Sequence, residues 1–305
     1  MIELRRLTKR YGAVRAVDDL TVTVRPARIT GLIGPNGAGK TTTLRMILGL
    51  TAPTSGTATT AGRRYADLPS PMRQVGALLD PRAAHDGRRA GDHLLCLARS
   101  NGLPRWRVDE ALRLVGLEQM AGRHIRVLSA GMRRRLGIAA TLLGDPEVLI
   151  YDDVIGGLDA AGVAWLRSLL RRLADQGRTV LVTGHLMGEM ARIADQFVVL
   201  DRGRLVADSS AEELSRRGAR QRALIRCDDH RFFTDRLTAA GARVRQGTGR
   251  TLVVSGMDGA DIHGLATAYG VRLHELTPQR PSLEDVLLEL VQDSANGDLA
   301  AGRAA

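Results

Sequence analysis

Gly34-Pro35-Asn36-Gly37-Ala38-Gly39-Lys40-Thr41 is the stretch of this chain that decides its fold. It fits the pattern G-x-x-x-x-G-K-[ST] in full. An apolar run at residues 29–33 precedes it, and a helical pattern over 41–50 follows. Gly34, Gly37 and Gly39 let the backbone curl until several N–H groups face one point. A helix opening near Lys40 adds its positive dipole end to that concavity. The loop is therefore expected to cradle the phosphates of a nucleoside triphosphate, ATP. Lys40 is expected to reach the β- and γ-phosphates, Thr41 to ligate Mg²⁺, and Thr42 to add a phosphate contact.

The amino-acid usage supports that reading of Lys40. Of 44 basic residues, only Lys9 and Lys40 are lysines. A chain that otherwise prefers arginine keeps a compact ammonium where a planar guanidinium would not fit between phosphate oxygens. The arginines are scattered, with no run longer than Arg133-Arg134-Arg135. The net charge of +11 thus reads as coding bias, and no nucleic-acid partner is expected.

The 305 residues, 44% hydrophobic and 25% charged, suffice for one large domain and a small one. No apolar run reaches the 18 residues a membrane span needs. No signal peptide is expected. Cys96 and Cys227 lie too far apart in sequence to suggest a disulfide framework, and a cytosolic setting fits.

Working outward from the loop, strands are expected at 2–4, 20–24 and 29–33. The sequence Val148-Leu-Ile-Tyr-Asp152-Asp153 reads as a buried strand ending in two carboxylates. In such pairs the first acid holds Mg²⁺ through water and the second positions the attacking water. A helix is expected over 160–174, a strand over 179–183, and a hairpin over 197–208 turning at Asp201-Arg202-Gly203. Residues 86–145 read as mostly helical, an insert in an α/β core. Leu128-Ser129-Ala130-Gly131-Met132 precedes a helix expected over 133–143. Taken alone, Ser129 is equally a simple helix N-cap.

With those five residues the sequence resembles the ATP-binding cassette (ABC) family, whose signature reads Leu-Ser-Gly-Gly-Gln. Leu128, Ser129 and Gly131 are kept; Ala130 and Met132 depart from the usual form. The resemblance spans about residues 1–215. It implies an α/β P-loop NTPase fold, an ABC-type nucleotide-binding domain with a helical subdomain. It also implies a head-to-tail homodimer in which Ser129 and Gly131 face the ATP held by the other subunit. Tyr11 falls where a ring stacks on adenine, although a plain surface tyrosine is the alternative. Asp159, in Gly157-Leu158-Asp159, falls in the loop that crosses the dimer interface. His185, after Thr183-Gly184, falls at the switch histidine that contacts the γ-phosphate.

Two positions depart from the family pattern. Asp80 stands where a Gln usually senses Mg²⁺ and touches the membrane partner. Asp153 stands where the catalytic residue is usually Glu, followed by Pro; here Val154 follows. Aspartate is one methylene shorter, so hydrolysis is expected to be slower unless the backbone compensates.

Residues 218–293 read as a second domain after a linker at Arg216-Arg217-Gly218. Their order is strand 223–226, helix 231–240, strands 242–245 and 252–255, helix 262–269 and strand 272–276. This is the β-α-β-β-α-β, ferredoxin-like pattern of a small α+β domain. A last helix is expected over 282–290 with Ser282 as N-cap. The tail 294–305 is expected to be disordered. The cassette domain is placed at 1–217.

His274-Glu275-Leu276-Thr277-Pro278-Gln279 and Ser282-Leu283-Glu284-Asp285-Val286 resemble the ends of ATP-binding subunits of bacterial drug, antibiotic and lantibiotic exporters. That resemblance implies an ATPase on the cytoplasmic face of the cell membrane, bound to a separate permease. Two other readings stand beside it. One is a degenerate cassette that binds ATP to regulate a membrane partner, motivated by Asp80, Asp153 and the altered signature. The other is a soluble nucleic-acid-linked cassette, which normally carries a second cassette or long coiled-coil inserts.

Overall fold

The computed structural model describes residues 1–80, 84–219, 222–247, 251–279 and 282–291. The expected tail at 294–305 lies outside them. The described chain forms two compact units, one built on Met1–Ser209 and one spanning Ser210–Glu289.

The first unit runs, in order, β1 (Ile2–Tyr11), β2 (Val14–Val24), β3 (Arg28–Ile33), α1 (Lys40–Ile47), β4 (Ser55–Thr60), α2 (Pro71–Gln74), β5 (Val75–Leu78), α3 (Ala90–Ser100), α4 (Trp106–Val115), α5 (Ala130–Leu142), β6 (Val148–Tyr151), α6 (Ala160–Asp175), β7 (Thr179–Gly184), α7 (Met187–Ile193), β8 (Gln196–Asp201) and β9 (Arg204–Ser210). Strands β5-β6-β7-β3-β8-β9 make one sheet in that order. The pairs β5–β6, β6–β7, β7–β3 and β3–β8 are all parallel. Every residue of β6 and β7 is buried. That burial explains their near-continuous apolar runs, since a parallel sheet covered on both faces has no polar side. All five parallel strands point their carboxyl ends the same way. The loop after β3, the acids after β6 and the histidine after β7 therefore meet at one edge. Open α/β sheets bind ligands at that edge.

A second, antiparallel sheet has the order β2-β1-β4. Its strands are longer than the expected 2–4 and 20–24. β1 carries register shifts between Leu4 and Leu7, Leu7 and Lys9, and Lys9 and Arg10, and Arg6 and Asp19 adopt positive φ. Each bulge flips the inside–outside alternation, so a period-two reading loses the strand after the first few residues. Ile2, Leu7 and Leu20 of this sheet share one core with Leu44, Ile150, Leu181 and Val198.

The helical insert is present as α3, α4 and α5. Helix α5 starts three residues before the expected position, because Ser129 caps it: the Ser129 hydroxyl accepts from the Met132 N–H at 3.2 Å. At its other end the buried Arg107 guanidinium of α4 donates to the Leu142 and Leu143 carbonyls at 2.9 and 2.8 Å. These are terminal carbonyls that the helix itself leaves unpaired.

The second unit runs α8 (Ala211–Ala219), β10 (Arg222–Cys227), α9 (His230–Ala239), β11 (Arg243–Gln246), β12 (Leu252–Ser255), α10 (Gly259–Ala268) and β13 (Leu273–Pro278). Its strands form an antiparallel sheet ordered β11-β12-β10-β13, the β-α-β-β-α-β arrangement read from the sequence. Phe233, Leu237, Ile225, Val254 and Ile262 fill its core. The division between units falls at Ser209/Ser210, not at 217/218. The expected linker Arg216-Arg217-Gly218 lies inside α8. A capping box starts that helix: the Ser210 N–H donates to Glu213 Oε2 at 3.0 Å, and the Glu213 N–H donates to Ser210 Oγ at 3.1 Å. Residues 283–291 are helical, with Ser282 as the cap accepting from the Asp285 N–H at 3.1 Å.

Candidate nucleotide-binding site

The phosphate loop leaves β3 at Gly34 and enters α1 at Lys40. Gly34 and Gly39 are required by their neighbours as well as by their backbone. Their φ angles are +154° and +98°. A Cβ on Gly34 would meet the Leu200 carbonyl oxygen, and one on Gly39 the Ala16 carbonyl oxygen, both well inside contact distance. The hairpin turn at Gly203 braces the loop from below. Its N–H donates to the Ala38 carbonyl at 3.1 Å, and its carbonyl accepts from the Asp18 N–H at 2.8 Å. The sequence marked that turn as a hairpin signal without revealing its second role.

Lys40 Nζ donates to the Gly34 and Pro35 carbonyls at 2.8 and 2.9 Å. The ammonium is thus folded over its own loop. Burial pulls its pKa below the ordinary lysine value, while Asp152 and Asp153 push it back up. Thr41 Oγ1 donates to Asp152 Oδ2 at 2.8 Å. Thr183 Oγ1 donates to the other oxygen of Asp152 and accepts from the Asp153 N–H at 3.0 Å. The Asp152 N–H is itself fixed by the Leu78 carbonyl of β5, at 2.8 Å. Asp153 Oδ1 lies 3.2 Å from His185 Nδ1.

A cavity of about 930 Å³ opens over this edge of the sheet. Asn36, Gly37, Gly39, Lys40, Thr41, Thr42, Asp80, Asp152, Asp153 and His185 line it. The expected phosphate, metal and catalytic positions are therefore brought together. Gly34, Pro35 and Ala38 belong to the loop but do not line the cavity; Ala38 is buried beneath it. Tyr11 also lies off the lining. It is 50% exposed at the end of β1, with Lys9 Nζ 5.0 Å from its ring centroid. Leu128 and Ala130 reach the cavity, whereas Ser129 and Gly131 do not line it. Asp159 caps α6, accepting from the Gly162 N–H at 2.7 Å.

Sequence reasoning missed two contributors. Thr183 is completely buried and joins the two acids through one hydroxyl. Arg134 lines the cavity and donates from Nη1 to the Val154 carbonyl at 3.1 Å. Burial lowers its pKa and the nearby Asp153 raises it. Both lie inside motifs quoted from the sequence, but a buried hydroxyl and one arginine among many carry no signal by residue type.

Among the described residues no group of three or more His, Cys, Asp or Glu side chains could hold a metal on its own. The cavity, which also holds the Asp80 and Asp153 carboxylates, offers two adjoining donors beside the phosphate loop, the Thr41 hydroxyl and the Asp152 carboxylate. Both are hard oxygen ligands of the kind that would suit Mg²⁺.

A phosphate loop, an acid pair and a histidine at the carboxyl edge of a parallel sheet define a P-loop nucleotide-binding protein. Comparison narrows the class. Residues 17–156 match the family model described as ABC transporter, and residues 221–284 match one described only as a domain of unknown function. The chain is 40% identical over 226 residues to the Nod factor export ATP-binding protein I of Ralstonia nicotianae, covering 70% of this chain and 68% of that protein. It is 30% identical over 304 residues to the bacitracin transport ATP-binding protein BcrA of Bacillus licheniformis, covering 95% and 97%. The dimeric structure of a bacterial ABC transporter cassette superposes with a TM-score of 0.63 at 25% identity, covering 69% of this chain and 99% of that one. The chain belongs to the ABC transporter family as an ATP-binding subunit, and its chemistry is the hydrolysis of ATP to ADP and phosphate.

Proposed function

We propose that this chain powers export through a separate membrane-embedded permease, working as a homodimer at the cytoplasmic face of the membrane. The observation that carries this reading is the alignment with the bacitracin transport protein along 95% of the chain, through both units. No helix among the described residues is long and apolar enough to cross a membrane, which agrees with a permease on another chain. The dimeric cassette among the structural relatives supports two copies sharing ATP. In that arrangement Ser129 and Gly131 complete the partner's site, Asp159 lies in the crossing loop, and Tyr11 stacks on adenine.

The roles within the site follow from its chemistry. The N–H groups of the loop and the α1 dipole bind the phosphates. Lys40, released from the Gly34 and Pro35 carbonyls, meets the β- and γ-phosphate oxygens, and Thr42 adds a contact. Thr41 and Asp152 would hold Mg²⁺, which would supply positive charge against the phosphates. Asp153 positions the attacking water and accepts its proton, and His185 faces the γ-phosphate. Asp80 lines the cavity, and the family resemblance gives it the part of sensing the metal and touching the permease. The relatives' transport and export names favour this hydrolysing reading over a cassette that only holds ATP.

The test is purification of a tagged full-length chain from the membranes of its own cell. The expected result is co-purification of a multi-span membrane protein whose presence stimulates ATP turnover. Recovery of the chain alone, with no membrane partner under mild detergent, contradicts it. A multi-span membrane protein encoded beside this gene would point the same way.

A further inference from the structure

We propose that Thr183 is a positioning residue for hydrolysis: its single hydroxyl locks the metal-binding and water-positioning acids, Asp152 and Asp153, into one rigid unit. This rests on the roles given above to those two acids and goes beyond them to a residue on a different strand.

Thr183 is the penultimate residue of β7. Its side chain is completely buried, and a buried hydroxyl is costly unless its hydrogen bonds are made; unlike the buried hydroxyls of Thr30 and Thr60, this one is fully used. A threonine oxygen has one hydrogen to give and lone pairs to receive. Here the hydrogen goes to Asp152 Oδ1, and the oxygen accepts the Asp153 N–H at 3.0 Å. Asp152 is thus held on both sides, by Thr183 at Oδ1 and by Thr41 at Oδ2. One carboxylate oxygen faces the helix that carries the phosphate loop, and the other is tied to the sheet.

The second bond acts on Asp153. Its φ is +46°, in the left-handed region that residues with a Cβ seldom adopt. Strain of this kind persists only where the surroundings fix it. The Thr183 oxygen fixes it directly, at the backbone N–H of the strained residue. The kink turns the Asp153 carboxylate toward His185, reaching 3.2 Å from Nδ1. An aspartate one methylene shorter than the family's glutamate needs such backbone help to bring its carboxylate to the water. Thr183 supplies it from the neighbouring strand, so its contribution is to geometry and not to binding.

The chemistry separates Thr183→Val from Thr183→Ser. Valine matches threonine in shape and removes both hydrogen bonds, whereas serine keeps the hydroxyl. The experiment compares the full-length wild type with T183V, T183S and Asp153→Asn. Steady-state ATP turnover is measured together with hydrogen exchange of the peptide carrying Asp153, without nucleotide. A misplacement of about 1 Å costs roughly 10²-fold in rate. T183V is therefore expected to lose about 10- to 100-fold in kcat with KM for ATP within about threefold of wild type. Exchange at Asp153 should also speed up. T183S is expected to recover both properties to within about threefold. Wild-type turnover and wild-type exchange in T183V would overturn the proposal, as would equal losses in T183V and T183S. If Asp153→Asn hydrolyses ATP like the wild type, the role of Asp153 fails first and removes the basis for Thr183. An inactive Asp153→Asn beside a fully active T183V refutes the Thr183 proposal alone.

Discussion

The carboxylate of Asp153 and the imidazole of His185 face each other at 3.2 Å, Oδ1 to Nδ1, across the carboxyl ends of two neighbouring parallel strands. Each would be an unremarkable surface side chain alone; paired beside the phosphate loop, they are the proposed reactive end of the site. Replacing His185 by Ala is expected to lower kcat by about 10²-fold or more, the usual scale for removing an acid–base or electrostatic partner. ATP binding should stay within about threefold. Equilibrium binding of a fluorescent ATP analogue beside a phosphate-release assay separates the two effects.

Lys40 is expected to govern affinity. Lys40→Ala and Lys40→Arg are both expected to weaken ATP binding by about tenfold or more, because the guanidinium is too broad for the slot an ammonium fills. Burial is the leading influence on Lys40 and lowers its pKa. The protonated form is the one that binds phosphate. Affinity should therefore be full at neutral pH and fall as pH rises, starting below the usual lysine range. Calorimetric titration of ATP across alkaline pH tests this; in Lys40→Met the same pH dependence should vanish.

Gly39 is expected to tolerate no side chain. With φ at +98° and the Ala16 carbonyl against its Cα, Gly39→Ala combines backbone strain with a clash. Such substitutions destabilise by more than about 1 kcal/mol. Thermal unfolding should fall by at least about 2–4 °C for a unit of this size. Gly37 has positive φ but open space around it, so Gly37→Ala should be milder.

Metal dependence should follow the Thr41–Asp152 pair. Chelation with EDTA is expected to abolish turnover while leaving part of the ATP affinity. Asp152→Asn is expected to raise the half-saturating Mg²⁺ concentration by about tenfold or more, given the loss of a charged ligand. A Mg²⁺ titration of turnover is the measurement.

Much of this was legible in the sequence because it depends on residue type at short spacing. The phosphate loop, the apolar strand ending in Asp152-Asp153, and Thr183-Gly184-His185 declare themselves locally, and a parallel sheet then gathers their ends. The small unit's β-α-β-β-α-β order was equally plain from its alternation. Other features depend on distant neighbours and were hidden. Strand β1 is interrupted by bulges, so its period breaks after Leu4. Helix α8, which fills the expected linker, is an exception: its capping box, Ser210 and Glu213, is a local S-x-x-E pattern legible in the sequence. The Asp201-Arg202-Gly203 turn braces the phosphate loop from more than 160 residues away. Thr183 was quoted within a motif, but its bonds to Asp152 and Asp153 exist only once β6 and β7 lie side by side. Ser129 and Asp159 are both seen capping helices, an ordinary task for their residue types. Their proposed role toward a second subunit rests on the family.

Asp153 is proposed to drive hydrolysis despite its short side chain. The most direct test is steady-state ATP turnover of the full-length protein, wild type beside Asp153→Asn, with ATP affinity measured on both. The expected result is Mg²⁺-dependent turnover in the wild type, a loss of about 10²-fold or more in the variant, and affinities within about threefold. Equal turnover by the two proteins would contradict the account.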